Sequence, residues 1–284
     1  MGQTLLYQTT YDKLKIRCES LDLNDDGEYD NGIAIPTFFD PFPLENLKKH
    51  QIITPDNTAR RDYESHENIF DRPEEGFEGF KSQAVSYRLM RHFDWFRRNG
   101  IADGSGRLID ITVWKNEYVP RFVSGIRNVL LMCLISRSAY SKFIQEFFEP
   151  GVCFQRGHSP SPSGWWTAKS TSLPHLMCIL EFKFKGTEEL LRGEILMILA
   201  TTITRLELEG YQGEVVIPVL MFSVMSDFKA RIIQAYFDGD KLVIRKSRLY
   251  DFSTRETLSS STALFMQWIS IKEEAETENT TDAP

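Results

Sequence analysis

The sequence predicts an α/β fold of the α+β kind, in which a mixed central sheet is flanked by helices. Apolar residues recur at three- and four-residue spacing between Phe80 and Phe93, as on one face of an amphipathic helix. The run VVIPVLMF (215–222) is typical of a fully buried strand. Two β-rich runs flank Asp238-Gly239, a dipeptide that favours a tight hairpin turn.

The composition indicates a globular intracellular protein. Hydrophobic residues make up 42% of the 284 positions, which is ample for a packed core. The net charge of −7 argues against a protein that coats nucleic acid by charge alone. Four widely spaced cysteines are typical of reduced thiols, so we expect a cytoplasmic or nuclear location. No apolar stretch is long enough to span a bilayer, so no membrane association is expected. The sequence predicts no oligomeric state.

The chain divides into three predicted regions. Residues 1–75 are rich in turn formers and are interrupted by Pro36, Pro41 and Pro43, so we expect an irregular N-terminal extension. Residues 76–272 are predicted to form one domain. Residues 273–284 are an acidic, disordered tail.

Within the domain, helices and strands follow one another in a definite order. The periodicity predicts helices over 76–99, 118–149 and 187–210, and a final helix in which Ser253 and Glu256 have capping-box spacing. Residues 107–114 form either a short strand or a bend. Short strands are expected between residues 150 and 186.

The stretch ILEFKFKG (179–186) combines apolar and charged residues in alternation. Side chains of a strand alternate between its faces, so Leu180 and Phe182 point one way and Glu181 and Lys183 the other. In one interpretation the charged pair is the exposed face of an edge strand. In the other, Glu181 binds a divalent metal and Lys183 orients or polarises the attacking water beside a phosphodiester.

This stretch, placed after short strands and before a helix, resembles the E-x-K half of the PD-(D/E)xK nuclease-like family. The segment from Val215 to Phe252 is similar to the C-terminal part of fungal members, and the resemblance covers about residues 110–255. The resemblance implies a restriction-endonuclease-like core, which is a mixed sheet of about four strands flanked by helices. It also implies Mg²⁺ as the cofactor, nucleic acid as the partner, Glu181 as a metal ligand and Lys183 as the residue that activates water.

The sequence departs from the family pattern at the second carboxylate. The pattern places an Asp at the end of the preceding strand, but no Asp or Glu occurs between Pro150 and Leu180. Asp110 and Glu117 are the candidates for this carboxylate, and Glu117 is the better positional match. We therefore predict Glu181, Lys183 and Glu117 as catalytic residues, and Glu181 with Asp110 as metal ligands.

Two functions remain open on the sequence. The first is a PD-(D/E)xK nuclease-like protein with an incomplete acidic motif; if it is active, it is a Mg²⁺-dependent nuclease. The second is a non-catalytic accessory or interaction protein, of the kind associated with fungal secondary-metabolite clusters. Trp165 and Trp166 also have two interpretations, stacking on bases and packing in the core.

Overall fold

The computed structural model of the chain describes residues 8–24, 26–30, 38–52, 85, 100–102, 106–107, 112–117, 161–170, 173–182, 185–208 and 216–271. The predicted helices over 76–99 and 118–149 lie outside these residues, apart from Val85, which is helical and buried. The predicted tail over 273–284 also lies outside them.

The described residues form helices and strands with the following bounds. The helices are α1 (Gln8–Lys13), α2 (Leu44–Lys49), α3 (Arg192–Leu208) and α4 (Arg255–Ile269). The strands are β1 (Ile16–Ser20), β2 (Gln51–Ile52), β3 (Gly100–Ala102), β4 (Gly106–Arg107), β5 (Trp114–Glu117), β6 (Ser161–Ala168), β7 (Leu176–Glu181), β8 (Val219–Val224), β9 (Lys229–Phe237), β10 (Leu242–Lys246) and β11 (Tyr250–Asp251).

Most strands belong to one mixed sheet, in the order β1-β10-β9-β8-β7-β6-β5, with β11 paired to β9. The strands β5, β6 and β7 pair antiparallel, and β7 and β8 pair parallel across the connection that contains α3. The strands β8, β9 and β10 continue antiparallel. The predicted α/β fold with a mixed sheet is confirmed. A separate small sheet contains β2, β3 and β4.

Among the described residues, one long helix packs on each face of the main sheet. Side chains of α3 pack with Leu180, Met221 and Ile233 in one apolar cluster. Side chains of α4 pack with Phe222 and Ile232 in the other, where the rings of Phe222 and Phe265 are 5.5 Å apart. We call these two sides the α3 face and the α4 face. Because both faces are covered, the interior strands are nearly continuous apolar runs.

The strand β7 lies in the interior of the sheet, between β6 and β8. The interpretation of Glu181 as part of an edge strand is therefore wrong, whereas Lys183 lies outside the described residues. Successive residues of β7 enter opposite apolar clusters, and every residue from Leu176 to Leu180 is buried. Both neighbouring strands are needed to satisfy the backbone of such a run.

The N-terminal region contributes directly to the main sheet. The strand β1 pairs parallel with β10, from Ile16 opposite Leu242 to Ser20 opposite Lys246. The segment predicted as an irregular extension thus contains an edge strand, and Phe39 and Phe42 of the same segment are buried in the core cluster of the α4 face.

Several predicted boundaries shift. The predicted hairpin is confirmed, and Gly239 has the positive φ of +101° that the turn requires. The strand predicted over 215–222 begins at Val219, after Pro218, which lacks a backbone donor. Residues 107–114 are not one strand, since β4 ends at Arg107 and β5 begins at Trp114.

The helices of the described residues include none with the length and apolar character of a membrane span.

The final helix begins one residue later than its predicted cap. The N-cap is Thr254, whose side chain accepts a hydrogen bond from the backbone N–H of Thr257, while the Thr257 hydroxyl accepts one from the backbone N–H of Thr254. The predicted cap, Ser253, instead donates its backbone N–H to the carboxylate of Asp251.

This difference between neighbouring hydroxyls predicts two different mutational effects. Thr254→Ala removes the cap and should lower the free energy of unfolding by about 1 kcal/mol. Ser253→Ala is the matched control and should leave it nearly unchanged, because its structural contact uses the backbone. Urea denaturation of both variants measures the effect, and equal losses would contradict the cap assignment.

Candidate functional site

The candidate site lies at the edge of the main sheet where β7 and β8 end, which we call the carboxyl edge. These strands are parallel, and their last residues, Glu181 and Val224, are paired. Glu181 is only partly buried, whereas every other residue of β7 is buried. Its partial exposure at this edge leaves Glu181 able to meet a ligand or an ion-pair partner.

The residues that flank Glu181 in the sheet are not acidic. Glu181 is paired with Ser161 on β6 and with Val224 on β8. The cross-strand partners therefore offer no second carboxylate to a cation held by Glu181. The structure places the next residue, Phe182, in the buried cluster of the α3 face, as the alternation predicted.

Glu117 is the last residue of β5, two strands away from Glu181. It is paired with Trp165, which is paired in turn with Cys178, so Glu117 is level with Cys178 and not with Glu181. From ordinary strand spacing and rise, the two backbone positions are roughly 14 Å apart. The register does not bring Glu117 and Glu181 together. Lys183 and Asp110 lie outside the described residues.

The described residues do not form a metal site made of protein side chains alone. No group of three or more His, Cys, Asp or Glu side chains is arranged to hold a metal among them. Mg²⁺ is usually held by one or two carboxylates, completed by substrate phosphates and water. Glu181 supplies one such carboxylate.

The loop that follows the stretch ILEFKFKG (179–186) is fixed by a buried arginine. Arg231, on β9, is fully buried and lies on the α3 face. Its guanidinium donates hydrogen bonds to the backbone carbonyls of residues 187, 188 and 189, at 2.9, 3.3 and 2.9 Å. These bonds hold the three residues outside α3, so the helix begins at Arg192 and not at the predicted residue 187.

Glu194 completes the environment of this arginine. Its two carboxylate oxygens accept from Nε and Nη2 of Arg231 at 2.8 and 2.5 Å, and both side chains have zero solvent exposure. One of these oxygens also accepts the backbone N–H of Leu191 at 2.7 Å. Because the guanidinium is fully hydrogen-bonded, its charge is compensated inside the core.

A second contact fixes the same loop to the turn between β8 and β9. The backbone N–H of Gly186 donates to Asp227 at 3.0 Å. A Cβ atom at Gly186 would lie 3.0 Å from Leu249 and 3.2 Å from Met225, so a larger residue would force a displacement here. In the turn, Phe228 adopts a φ of +58°, a left-handed conformation that is costly for an aromatic residue.

Arg231, Glu194 and Asp227 were not predicted from the sequence as residues of the site. A signal for Arg231 was present, because a charged residue inside the run RIIQAYF (231–237) requires a buried partner if the strand is interior. The identity of that partner depends on the packing of α3 against β9, which no local pattern encodes.

Two cysteines and one tryptophan that could have a functional role also lie in the main sheet. Burial raises the pKa of the Cys178 thiol to about 12, so this thiol stays protonated and is a poor nucleophile or ligand. Cys18 and Cys178 are free thiols. Trp166 is buried in the core cluster of the α4 face, which favours the packing role over base stacking for this residue.

Comparison with known proteins adds no relative, since no protein-family model, curated protein or solved structure matches this chain.

Removal of the Arg231 charge should be strongly destabilising. Arg231→Met leaves the Glu194 carboxyl buried without its partner, so we expect a loss of about 3–5 kcal/mol in the free energy of unfolding. Adding Glu194→Leu to this variant should recover part of the loss, because the unpaired buried carboxyl is gone.

The control is the exposed ion pair of Lys15 and Asp240, whose side chains are 68% and 65% accessible. Lys15→Met should have little effect, since solvent screens exposed pairs. Thermal and urea denaturation measure all variants. An Arg231→Met protein as stable as the wild type would show that the pair does not anchor the loop.

Proposed function

We propose that the chain is a PD-(D/E)xK nuclease-like protein in which Glu181 is the acidic residue of the E-x-K pair. The observation that carries the proposal is the position of Glu181, the single partly exposed residue at the end of an otherwise buried β7. In open α/β sheets, ligands bind beyond the carboxyl ends of the parallel strands. Glu181 occupies that place in the parallel pair of β7 and β8.

The order of elements supports the restriction-endonuclease-like core as the finer description of the fold. Three antiparallel strands, β5, β6 and β7, are followed by α3 and then by β8, which is parallel to β7. This gives four neighbouring strands of a mixed sheet between α3 and α4, in agreement with the expected core. Kinship in fold does not by itself supply activity.

The rigid attachment of the following loop also supports a site at this edge. Arg231 and Asp227 fix residues 186–189, immediately after the E-x-K stretch. A catalytic group must be held within a fraction of an ångström of its working position, and anchored neighbours provide this.

A nucleic-acid partner is part of the same proposal. Exposed basic residues lie at the carboxyl edge, namely Lys185, Arg192, Arg248 and Arg255. Acidic residues such as Glu188, Glu189 and Glu256 are interspersed with them. A mixed edge of this kind favours local contacts with a few phosphates over a broad electrostatic track.

A second function, a non-catalytic accessory or interaction protein, is favoured by one specific observation. The two residues paired with Glu181, Ser161 and Val224, cannot act as carboxylate ligands. A nuclease-like scaffold that has lost its second acid would retain the fold and bind a partner without hydrolysis. In this case the fungal secondary-metabolite context is the setting that the resemblance implies.

Cleavage of plasmid DNA with Mg²⁺ or Mn²⁺ separates the two functions. If the chain is a nuclease, Glu181→Ala and Lys183→Ala should each lower the rate on the order of 10²–10³-fold, because each removes charge stabilisation at the reacting phosphate. Glu256→Ala, an exposed acid in the first turn of α4, is the matched control and should cleave at the wild-type rate. Wild-type protein without activity, or mutants with unchanged activity, would exclude the nuclease.

Calorimetric titration with Mn²⁺ tests the alternative directly. A non-catalytic protein should give no saturable heat, because one carboxylate is a weak site for a divalent ion. Saturable binding that disappears in Glu181→Ala would instead support the metal-dependent enzyme.

A further inference from the structure

The helix α3 is apolar on both of its sides. Its inner side packs on the sheet through residues such as Ile195 and Ile198. Its outer side carries Leu196, Leu199, Ile203 and Leu206, which are 43%, 39%, 39% and 37% exposed. We call these four residues the outer stripe. A helix that is apolar all round is normally covered on all sides.

The outer stripe has the spacing of a helix that packs against another helix. Its members are separated by three, four and three residues, which is the a and d pattern of a coiled-coil seam. At the rise of an α-helix, the stripe is about 15 Å long. Between Leu196 and Leu206 the only charged residue is Arg205, which is buried on the other side.

The stripe is also symmetric along the helix. Leu196 and Leu206 lie five residues before and after Thr201, and Leu199 and Ile203 lie two residues before and after it. Two antiparallel copies of α3 that cross at the level of Thr201 would place Leu199 against Ile203 of the second copy, and Leu196 against Leu206. A two-fold interface requires this kind of self-complementary surface.

The outer stripe alone does not supply the buried area that a stable interface needs. A stable interface buries about 800 Å² per partner, and four half-exposed side chains supply only part of this. Three further exposed apolar residues, Leu14, Val216 and Phe237, lie at the sheet edge where β1, β8 and β10 begin and β9 ends. This is the edge toward which α3 runs. All seven large, exposed apolar side chains of the described residues thus belong to α3 or to the edge where it ends.

The charge of the chain restricts where two copies can meet. A net charge of −7 per chain produces repulsion between copies over most of the surface. The outer stripe is free of acidic residues over its whole length. Association through the stripe therefore gains apolar burial without bringing like charges together.

We propose that the chain forms a two-fold homodimer through the outer stripe of α3, packed antiparallel against α3 of the second copy. The carboxyl edge with Glu181 lies at the opposite end of the strands from Leu14, Val216 and Phe237. The two copies therefore bury the stripe and leave Glu181 accessible. This proposal is independent of whether the protein is a nuclease.

Sedimentation velocity of the full chain from about 1 to 100 μM tests it. The wild type should reach twice the monomer mass of 32.9 kDa. Leu199→Glu with Ile203→Glu should weaken dimerisation at least about 30-fold, as expected for residues at the centre of an interface. Ser259→Glu with Ser260→Glu adds the same charge at exposed positions of α4 and should dimerise as the wild type does.

Circular dichroism confirms that each variant is folded. If the glutamate variant is unfolded, Leu199→Ala with Ile203→Ala serves in its place, since alanine favours the helix and removes only apolar area. A dissociation constant unchanged by either pair of substitutions would overturn the proposal. A monomeric wild type at 100 μM would also overturn it, and would assign the stripe to a different protein or to another segment of this chain.

Discussion

The buried guanidinium of Arg231 is the interaction on which the arrangement of the carboxyl edge depends. It connects β9 in the sheet, Glu194 in the first turn of α3 and three successive carbonyls of the loop that follows β7. A cation inside an apolar cluster is tolerated only when every donor is used, so the positions of loop, helix and strand are mutually constrained. The start of α3 follows from this constraint.

The fold could be predicted from the sequence wherever a local pattern determined the structure. The hairpin around Gly239 was predicted correctly because the turn needs a positive φ, which few residues adopt. The mixed sheet between two helical layers followed from the alternation of apolar runs. The predictions that were wrong concern contacts between distant residues. The residue at which α3 begins depends on the hydrogen bonds of Arg231 to the preceding loop. The cap of α4 depends on Asp251, whose carboxylate accepts the backbone N–H of Ser253.

The candidate site was predictable in part, for a related reason. Alternation in a strand assigned Glu181 and Leu180 to opposite faces without reference to the rest of the chain, and Leu180 does lie in the α3 cluster. Whether a second acid stands beside Glu181 depends on strand register, which sequence spacing does not encode. The register places Ser161 next to Glu181 and puts Glu117 level with Cys178. Glu117 was predicted as the second carboxylate from its position in the sequence. The pairing of β5 with β6 separates it from Glu181.

The parallel pairing of β1 with β10 has a consequence for how the protein is made. Residues 16–20 find their partners at 242–246, so two strands that pair are synthesised far apart in time. Pairings between distant residues require the entropy of closing a long intervening segment before they gain any contact, which slows their formation. During synthesis β1 therefore stays unpaired with β10 until residues 242–246 have been made. In that interval the edge of β1 is exposed to chaperones and to neighbouring nascent chains, so this side of the sheet is completed late in folding.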